Sequence, residues 1–210
     1  MNLIIMGAIG SGKGTQARFI SEKYHLAYIS TGDIMRGHIK NETPIGKKIK
    51  DILASGGYVD DELTTELLKD RLGHDDCKNG FILDGYPRTI NQAHIITSIA
   101  EIDQVIYLKV DNDTVIKRLG GRLTCSDCSE MYHVESKPPK VANTCDKCGG
   151  ELYKREDETE AAIANRLAIF EKETMPVIEL FKTQGRVREI EGVGDISQIT
   201  TTIFKELETK

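Results

Sequence analysis

Lys13 ends the run Gly7-Ala8-Ile9-Gly10-Ser11-Gly12-Lys13, whose G-x-x-x-x-G-K spacing suits a loop that holds a nucleoside triphosphate. Glycines adopt backbone conformations closed to other residues and let amide N–H groups approach an anion, while the lysine reaches the outer phosphates. Gly14 stands where Ser or Thr usually holds magnesium, and Thr15 follows it. The competing reading is a glycine-rich turn that only joins a strand to a helix. Asp84 ends the apolar run Phe81-Ile82-Leu83, the placement of an acid that helps hold magnesium directly or through water; the plainer reading is a turn acid. Of the arginines, Arg36, Arg88, Arg118, Arg122, Arg155 and Arg166 are candidates, although each alone reads as a solvated charge. Arg36 follows Thr31-Gly32-Asp33, and Arg88 follows Asp84-Gly85-Tyr86-Pro87. A planar guanidinium binds phosphate oxygens in pairs, so arginines at such places suit a second phosphorylated substrate beside the first.

Cys125-Ser126-Asp127-Cys128 and Cys145-Asp146-Lys147-Cys148 have the spacing of a tetrahedral four-cysteine zinc site. Four thiolates leave no open position for water, so the expected metal is structural, clamping a segment with few apolar residues. A redox pair or a vestigial site are the alternatives. Cys77 reads as a bystander, and the five histidines form no spaced pair on a helix.

The elements that must position these residues follow from periodicity. Met1 to Met6 reads as a strand and Thr15 to Tyr24 as a helix, so the unpaired amides at a helix start meet the same anion as the loop. Leu26 to Ile29, Phe81 to Asp84, Gln104 to Val110 and Arg186 to Ile190 read as further strands. Helices are expected from Ser30, Thr43-Pro44, Asp60, Thr89, Asp111, Thr159 and Asp195, each a capping residue. Pro176 is expected to kink or interrupt the long pattern from Thr159 to Thr183. Between Arg122 and Glu158 both periods vanish. Strands alternating with helices predict a parallel sheet covered on both faces, with ligands at the carboxyl ends of its strands.

The chain has 210 residues, which suits one core domain carrying insertions. Its net charge of −5 argues against nucleic acid or a membrane as the main partner. No apolar run approaches a membrane helix or a signal peptide, and the expectation is a cytoplasmic protein.

Together, the runs Gly7 to Gln16, Ser30 to Arg36, Leu83 to Thr89, Gly121-Arg122 and Ala164-Asn165-Arg166-Leu167 resemble bacterial adenylate kinase in its long, zinc-containing form, over essentially the whole chain. The resemblance implies a five-stranded parallel sheet with helices on both faces, of the phosphate-loop nucleoside monophosphate kinase type. The implied core is residues 1–29, 60–121 and 160–210, with an AMP-binding insertion at 30–59 and a zinc-binding lid at 122–159. It further implies that Gly10, Ser11, Gly12, Lys13, Gly14 and Thr15 cradle ATP, with Arg118, Arg122, Met131, Tyr132 and Val193 near it. Thr31, Arg36, Val59, Gly85, Arg88 and Gln92 would hold AMP. Arg122, Arg155 and Arg166 would close on the transferring phosphoryl group, with Arg155 and Arg166 also meeting AMP. Ile9 and Leu123 depart from the family pattern, which usually has proline at the first position and often arginine at the second. The implied reaction converts Mg²⁺-ATP and AMP to two ADP, by a monomer. Lids of this family are a known case of closure that excludes water. A kinase of another nucleoside monophosphate is the near alternative. A zinc-ribbon nucleic-acid-binding NTPase is the distant one, which the acidic charge disfavours.

Overall fold

A computed structural model describes residues 1–209. The elements run β1 (Asn2–Met6), α1 (Lys13–Tyr24), β2 (Ala27–Ser30), α2 (Thr31–Lys40), α3 (Pro44–Ala54), α4 (Asp61–Leu72), β3 (Phe81–Asp84), α5 (Ile90–Ile99), β4 (Gln104–Lys109) and α6 (Asn112–Gly120). There follow β5 (Arg122–Cys125), β6 (Met131–His133), β7 (Leu152–Tyr153), α7 (Glu160–Ile169), α8 (Met175–Thr183), β8 (Val187–Glu191) and α9 (Ile196–Glu208). Among the described residues no helix is long and apolar enough to cross a membrane.

Five strands form a parallel sheet in the order β2-β3-β1-β4-β8. The run Leu3 to Met6 is apolar throughout because both faces of the sheet are covered. Leu3 and Ile5 join Ala17, Ile20, Ile106 and Ile203 on one face, while Ile4 and Met6 join Leu83, Ile96, Val105 and Phe181 on the other. Successive side chains of a strand point oppositely, so one unbroken run supplies both cores. The chain leaves central β1 for one side of the sheet and later returns to the other, and such reversals open a crevice at the strands' carboxyl ends.

The expected caps are in place. Ser30, Thr43, Asp60, Thr89, Asp111, Thr159 and Asp195 each accept a backbone N–H of the first turn that follows. One expectation holds and one changes. The long α-helical pattern is interrupted at Pro176, which occupies the first turn of α8, after Phe170–Thr174 widens into a π turn. A proline ring clashes with the carbonyl four residues earlier, and the wider turn relieves that contact without ending the helix. The region from Arg122 to Glu158 is not free of strands: β5, β6 and β7 form an antiparallel sheet in the order β6-β5-β7. Strands of two to four residues are too short to display an alternation.

Candidate active site

A cavity of about 440 Å³ opens at the carboxyl ends of the sheet strands. Its floor is the loop after β1. Gly12 caps α1 with φ +93° and no side-chain bond, and the first hydrogen bond of the helix runs from the Gln16 amide to the Gly12 carbonyl, 3.1 Å. The preceding amides are left without an intrahelical acceptor, at the positive end of the dipole. Lys13 borders the cavity and its Nζ donates to the Ala8 carbonyl at 3.2 Å. Burial holds its ammonium below the usual range, to about 8; Asp84 opposes this and Arg88, Arg166 and Arg122 reinforce it. The side chain keeps partial access to the cavity, so the groups that crowd it are those a ligand would meet.

Asp84 ends β3 in register with Ile5 and Ser30 of the flanking strands. Its Oδ2 accepts a hydrogen bond from the Tyr28 hydroxyl, 3.1 Å, and none other reaches the carboxylate among the described residues. Burial and the charge of Asp84 push the Tyr28 phenol far above its ordinary range, which keeps it a donor. A Cβ on Gly14 would lie 3.0 Å from the Met131 methyl and 3.2 Å from Asp84 Oδ2. The corner where a Ser or Thr would stand is thus already filled. An acid with spare lone pairs beside an anion cradle fits magnesium, an ion that usually takes one or two carboxylates together with substrate phosphates and water.

Arginines form the walls. Arg36, Arg88, Arg118, Arg122, Arg155 and Arg166 all border the cavity, brought there from α2, the turn after β3, α6, β5, the segment after β7, and α7. Most are held by acids that the spacing of the sequence did not single out. Arg36 pairs with Asp33 and Arg122 with Glu158, while Arg155 and Arg166 share Asp157. Burial disfavours the Asp157 carboxylate, yet the bond from Arg155 and the charges of Arg155 and Arg166 outweigh it and hold its pKa well below the usual range. Burial lowers Arg166 to about 10. Arg118 instead donates to the carbonyls of Ser11, 3.1 Å, and Gly192, 2.8 Å, tying the loop to the turn before α9.

Gly10, Ser11, Gly12, Gly14, Thr15, Gly85, Met131 and Tyr132 also border the cavity. Four of the expected residues do not. Thr31 is buried and donates to the Gly85 carbonyl at 2.9 Å. Val59 sits in a small core with Met35 and Ile49, beneath α2 and α3. Gln92 is buried, its Oε1 accepting the Arg88 amide at 2.8 Å and its Nε2 donating to Asp61 at 2.7 Å. Val193 is exposed, between Gly192 and Gly194, which do border the cavity. Across the site, Lys40 of α2 donates to the Ser126 carbonyl at 2.8 Å, so α2 touches the first cysteine turn.

The Sγ atoms of Cys125, Cys128, Cys145 and Cys148 all lie within 4.8 Å of one another. Separations of 3.5 Å (Cys125 to Cys148), 3.6 Å (Cys128 to Cys145) and 3.4 Å (Cys128 to Cys148) are far too long for disulfides. They are close to the edge of about 3.8 Å of a tetrahedron with zinc–sulfur bonds of about 2.3 Å. The arrangement is one that could hold a metal ion with four thiol ligands. Cys77 lies apart from it, buried beside Arg71.

A family model described as adenylate kinase matches residues 5–186. Adenylate kinases of Caldicellulosiruptor bescii (42% identical; 99% of this chain and 99% of the relative) and Syntrophotalea carbinolica (44%; 99% and 98%) are similar throughout. The adenylate kinase of Listeria innocua is 44% identical over 99% of each chain. With a phosphate loop, a cavity walled by arginines and this similarity along its length, the chain belongs to the adenylate kinase family of phosphotransferases.

Proposed function

We propose that this cavity carries out reversible phosphoryl transfer from Mg²⁺-ATP to AMP, giving two ADP, and that its two ends take the two nucleotides. The observation that carries the reading is the convergence of Lys13 and the arginines Arg36, Arg88, Arg122, Arg155 and Arg166 on one space floored by helix-start amides. Gly10, Ser11, Gly12, Lys13, Gly14 and Thr15 hold the ATP phosphates, Arg118 and Arg122 contact ATP, and Met131, Tyr132 and Val193 lie near it. Arg36 and Arg88, supported by Thr31, Val59, Gly85 and Gln92, hold AMP.

In this reaction an AMP phosphate oxygen attacks the γ-phosphorus, a bond to the β–γ bridging oxygen breaks, and charge spreads over the transferring oxygens. No covalent nucleophile is needed, only in-line positioning and charge stabilisation. Lys13, Arg88, Arg122, Arg155 and Arg166 supply the stabilisation, the last three exchanging Glu158 and Asp157 for phosphate oxygens. Asp84 would help hold magnesium, directly or through water, and the ion would supply charge neutralisation on the ATP phosphates. Residues 30–59 and 122–159 form the moving pieces around the core of 1–29, 60–121 and 160–210, and the four cysteines hold a structural zinc in the second piece. The chain is read as a monomer, and a thiolate site suits a reducing compartment such as the cytoplasm.

The test is a panel of nucleoside monophosphates with Mg²⁺-ATP, quantifying diphosphates. AMP should be preferred strongly; preference for a pyrimidine nucleotide would move the chain to another acceptor.

A further inference from the structure

Among the cavity arginines Arg88 and Arg118 lack a carboxylate partner, and Arg118 spends both terminal nitrogens on backbone carbonyls. Arg36, Arg122, Arg155 and Arg166 are each anchored by a carboxylate, whereas no acid pairs with Arg88 among the described residues. Its guanidinium is held from behind by neutral groups. Nε donates to the Gly85 carbonyl at 2.7 Å, and Cζ lies 4.7 Å from the centre of the Tyr58 ring. The terminal nitrogens donate no hydrogen bond among the described residues. Its carbonyl accepts the hydroxyl of Thr174 at 3.0 Å, and that hydroxyl lies 3.2 Å from the Tyr58 hydroxyl. Thr174 is buried at the end of the π turn, so the widened helix is what sets its hydroxyl between the two.

We propose that Tyr58 is a positioning residue for Arg88, presenting a ring face to the guanidinium so that both terminal nitrogens and the full charge are offered to the acceptor's phosphate. The inference rests on the assignment of Arg88 to AMP. A carboxylate in the place of Tyr58 would orient the guanidinium equally well, but it would compete with the incoming phosphate for the same donors and would neutralise their charge. An aromatic face attracts the cation through its quadrupole and occupies no N–H. Tyr58 lies between α3 and α4, so its stacking also ties the position of that segment to the arginine across the cavity. Thr174 fixes the other edge of the ring by its hydroxyl.

The test combines calorimetric titration with steady-state kinetics on Tyr58→Leu, Tyr58→Phe, Arg88→Ala and the double variant Tyr58→Leu/Arg88→Ala. Tyr58→Leu should weaken AMP binding and raise its KM by roughly tenfold, the scale of a partly desolvated cation–ring contact. ATP affinity should stay within about twofold, and kcat should change less than KM. Tyr58→Phe keeps the ring and should restore most of the AMP affinity. In the Arg88→Ala background, Tyr58→Leu should have no further effect on AMP. Equal losses for both nucleotides, a Phe variant as impaired as Leu, or additive losses in the double variant would each overturn the positioning role. If Arg88→Ala itself left AMP affinity intact, the assignment of Arg88 would fail, and this inference with it. A loss with Arg88→Ala but none with Tyr58→Leu would remove the inference alone.

Discussion

Burial holds the Lys13 ammonium at about 8 in the empty site, with Asp84 opposing and three arginines reinforcing the depression. An arriving triphosphate reverses the balance by adding negative charge within reach of Nζ, so the bound lysine should return to its ordinary value near 10.5 or above. At pH 9 a group of pKa 8 is about one-tenth protonated when free and almost fully protonated when bound, so Mg²⁺-ATP should bring in about 0.9 proton. At pH 7 the free lysine is already about nine-tenths protonated and the uptake should fall to about 0.1. Binding that requires the charged lysine should therefore weaken about tenfold from pH 7 to pH 9, or about 1.4 kcal/mol. The stability of the empty protein should move the other way. The unfolded chain binds this proton more tightly, so the penalty of the buried charge is present in full at neutral pH. It is relieved as pH rises from about 8 towards 10.5. The assay is calorimetric titration of Mg²⁺-ATP at each pH in two buffers of different ionisation enthalpy, whose difference in heat gives the proton count. ATP phosphates are ionised throughout this range, so they add no uptake of their own. A proton count near zero at pH 9, or equal counts at the two pH values, would refute the argument that burial sets the lysine's charge.

Replacing Lys13 or Arg122 by Ala should lower turnover by on the order of 10³-fold with little effect on folding, since each removes charge stabilisation from the transferring group. Retention of more than about a tenth of wild-type turnover at saturating substrates would contradict the assigned role. Asp157→Asn should lower the melting temperature of the empty protein, because Arg155 and Arg166 lose their shared partner, and saturating nucleotide should close most of that gap. A gap that persists undiminished with nucleotide bound would mean that phosphate does not replace the acid. Stripping metal should lower the melting temperature and loosen residues 125–148 while the parallel sheet stays folded, with only partial loss of low-temperature activity. Refilling with zinc, cobalt or cadmium should restore melting alike, and turnover that varied sharply with the metal at matched stability would place the metal in the chemistry.

Legibility in the sequence followed the range of the interaction concerned. The helix starts were readable because a cap is a bond between near neighbours: Asp60 to the Leu63 amide and Thr89 to the Gln92 amide each span three residues. The phosphate loop was readable for the same reason. The four cysteines are a long-range cluster, yet their two close pairs encode it, because two C-x-x-C pairs at that spacing suit a single tetrahedral site and so imply that they meet. The strands of the second sheet lacked any such signature. Their pairing depends on Cys125 and Leu152 meeting across a long loop, and on the cluster beneath them.

What the sequence concealed most completely is the counter-charge of the site. Asp157 and Glu158 look like ordinary polar residues at a turn, and only the folded chain sets them against Arg166 and Arg122 from elsewhere, whereas Asp33 meets Arg36 three residues on within α2. Physical necessity still demands something of the kind. Several guanidiniums buried around one cavity need partners, because an unpaired buried charge costs more than a fold of marginal stability can sustain. In the proposed complex phosphate would satisfy them, and without it the acids do. The same reasoning explains why Arg88 can do without a carboxylate: it meets the Tyr58 ring and the Gly85 carbonyl on one side and opens to the cavity on the other. The site is thus built with acids against most of its arginines, while Arg88 is held by neutral groups and keeps its terminal nitrogens without a donor bond among the described residues.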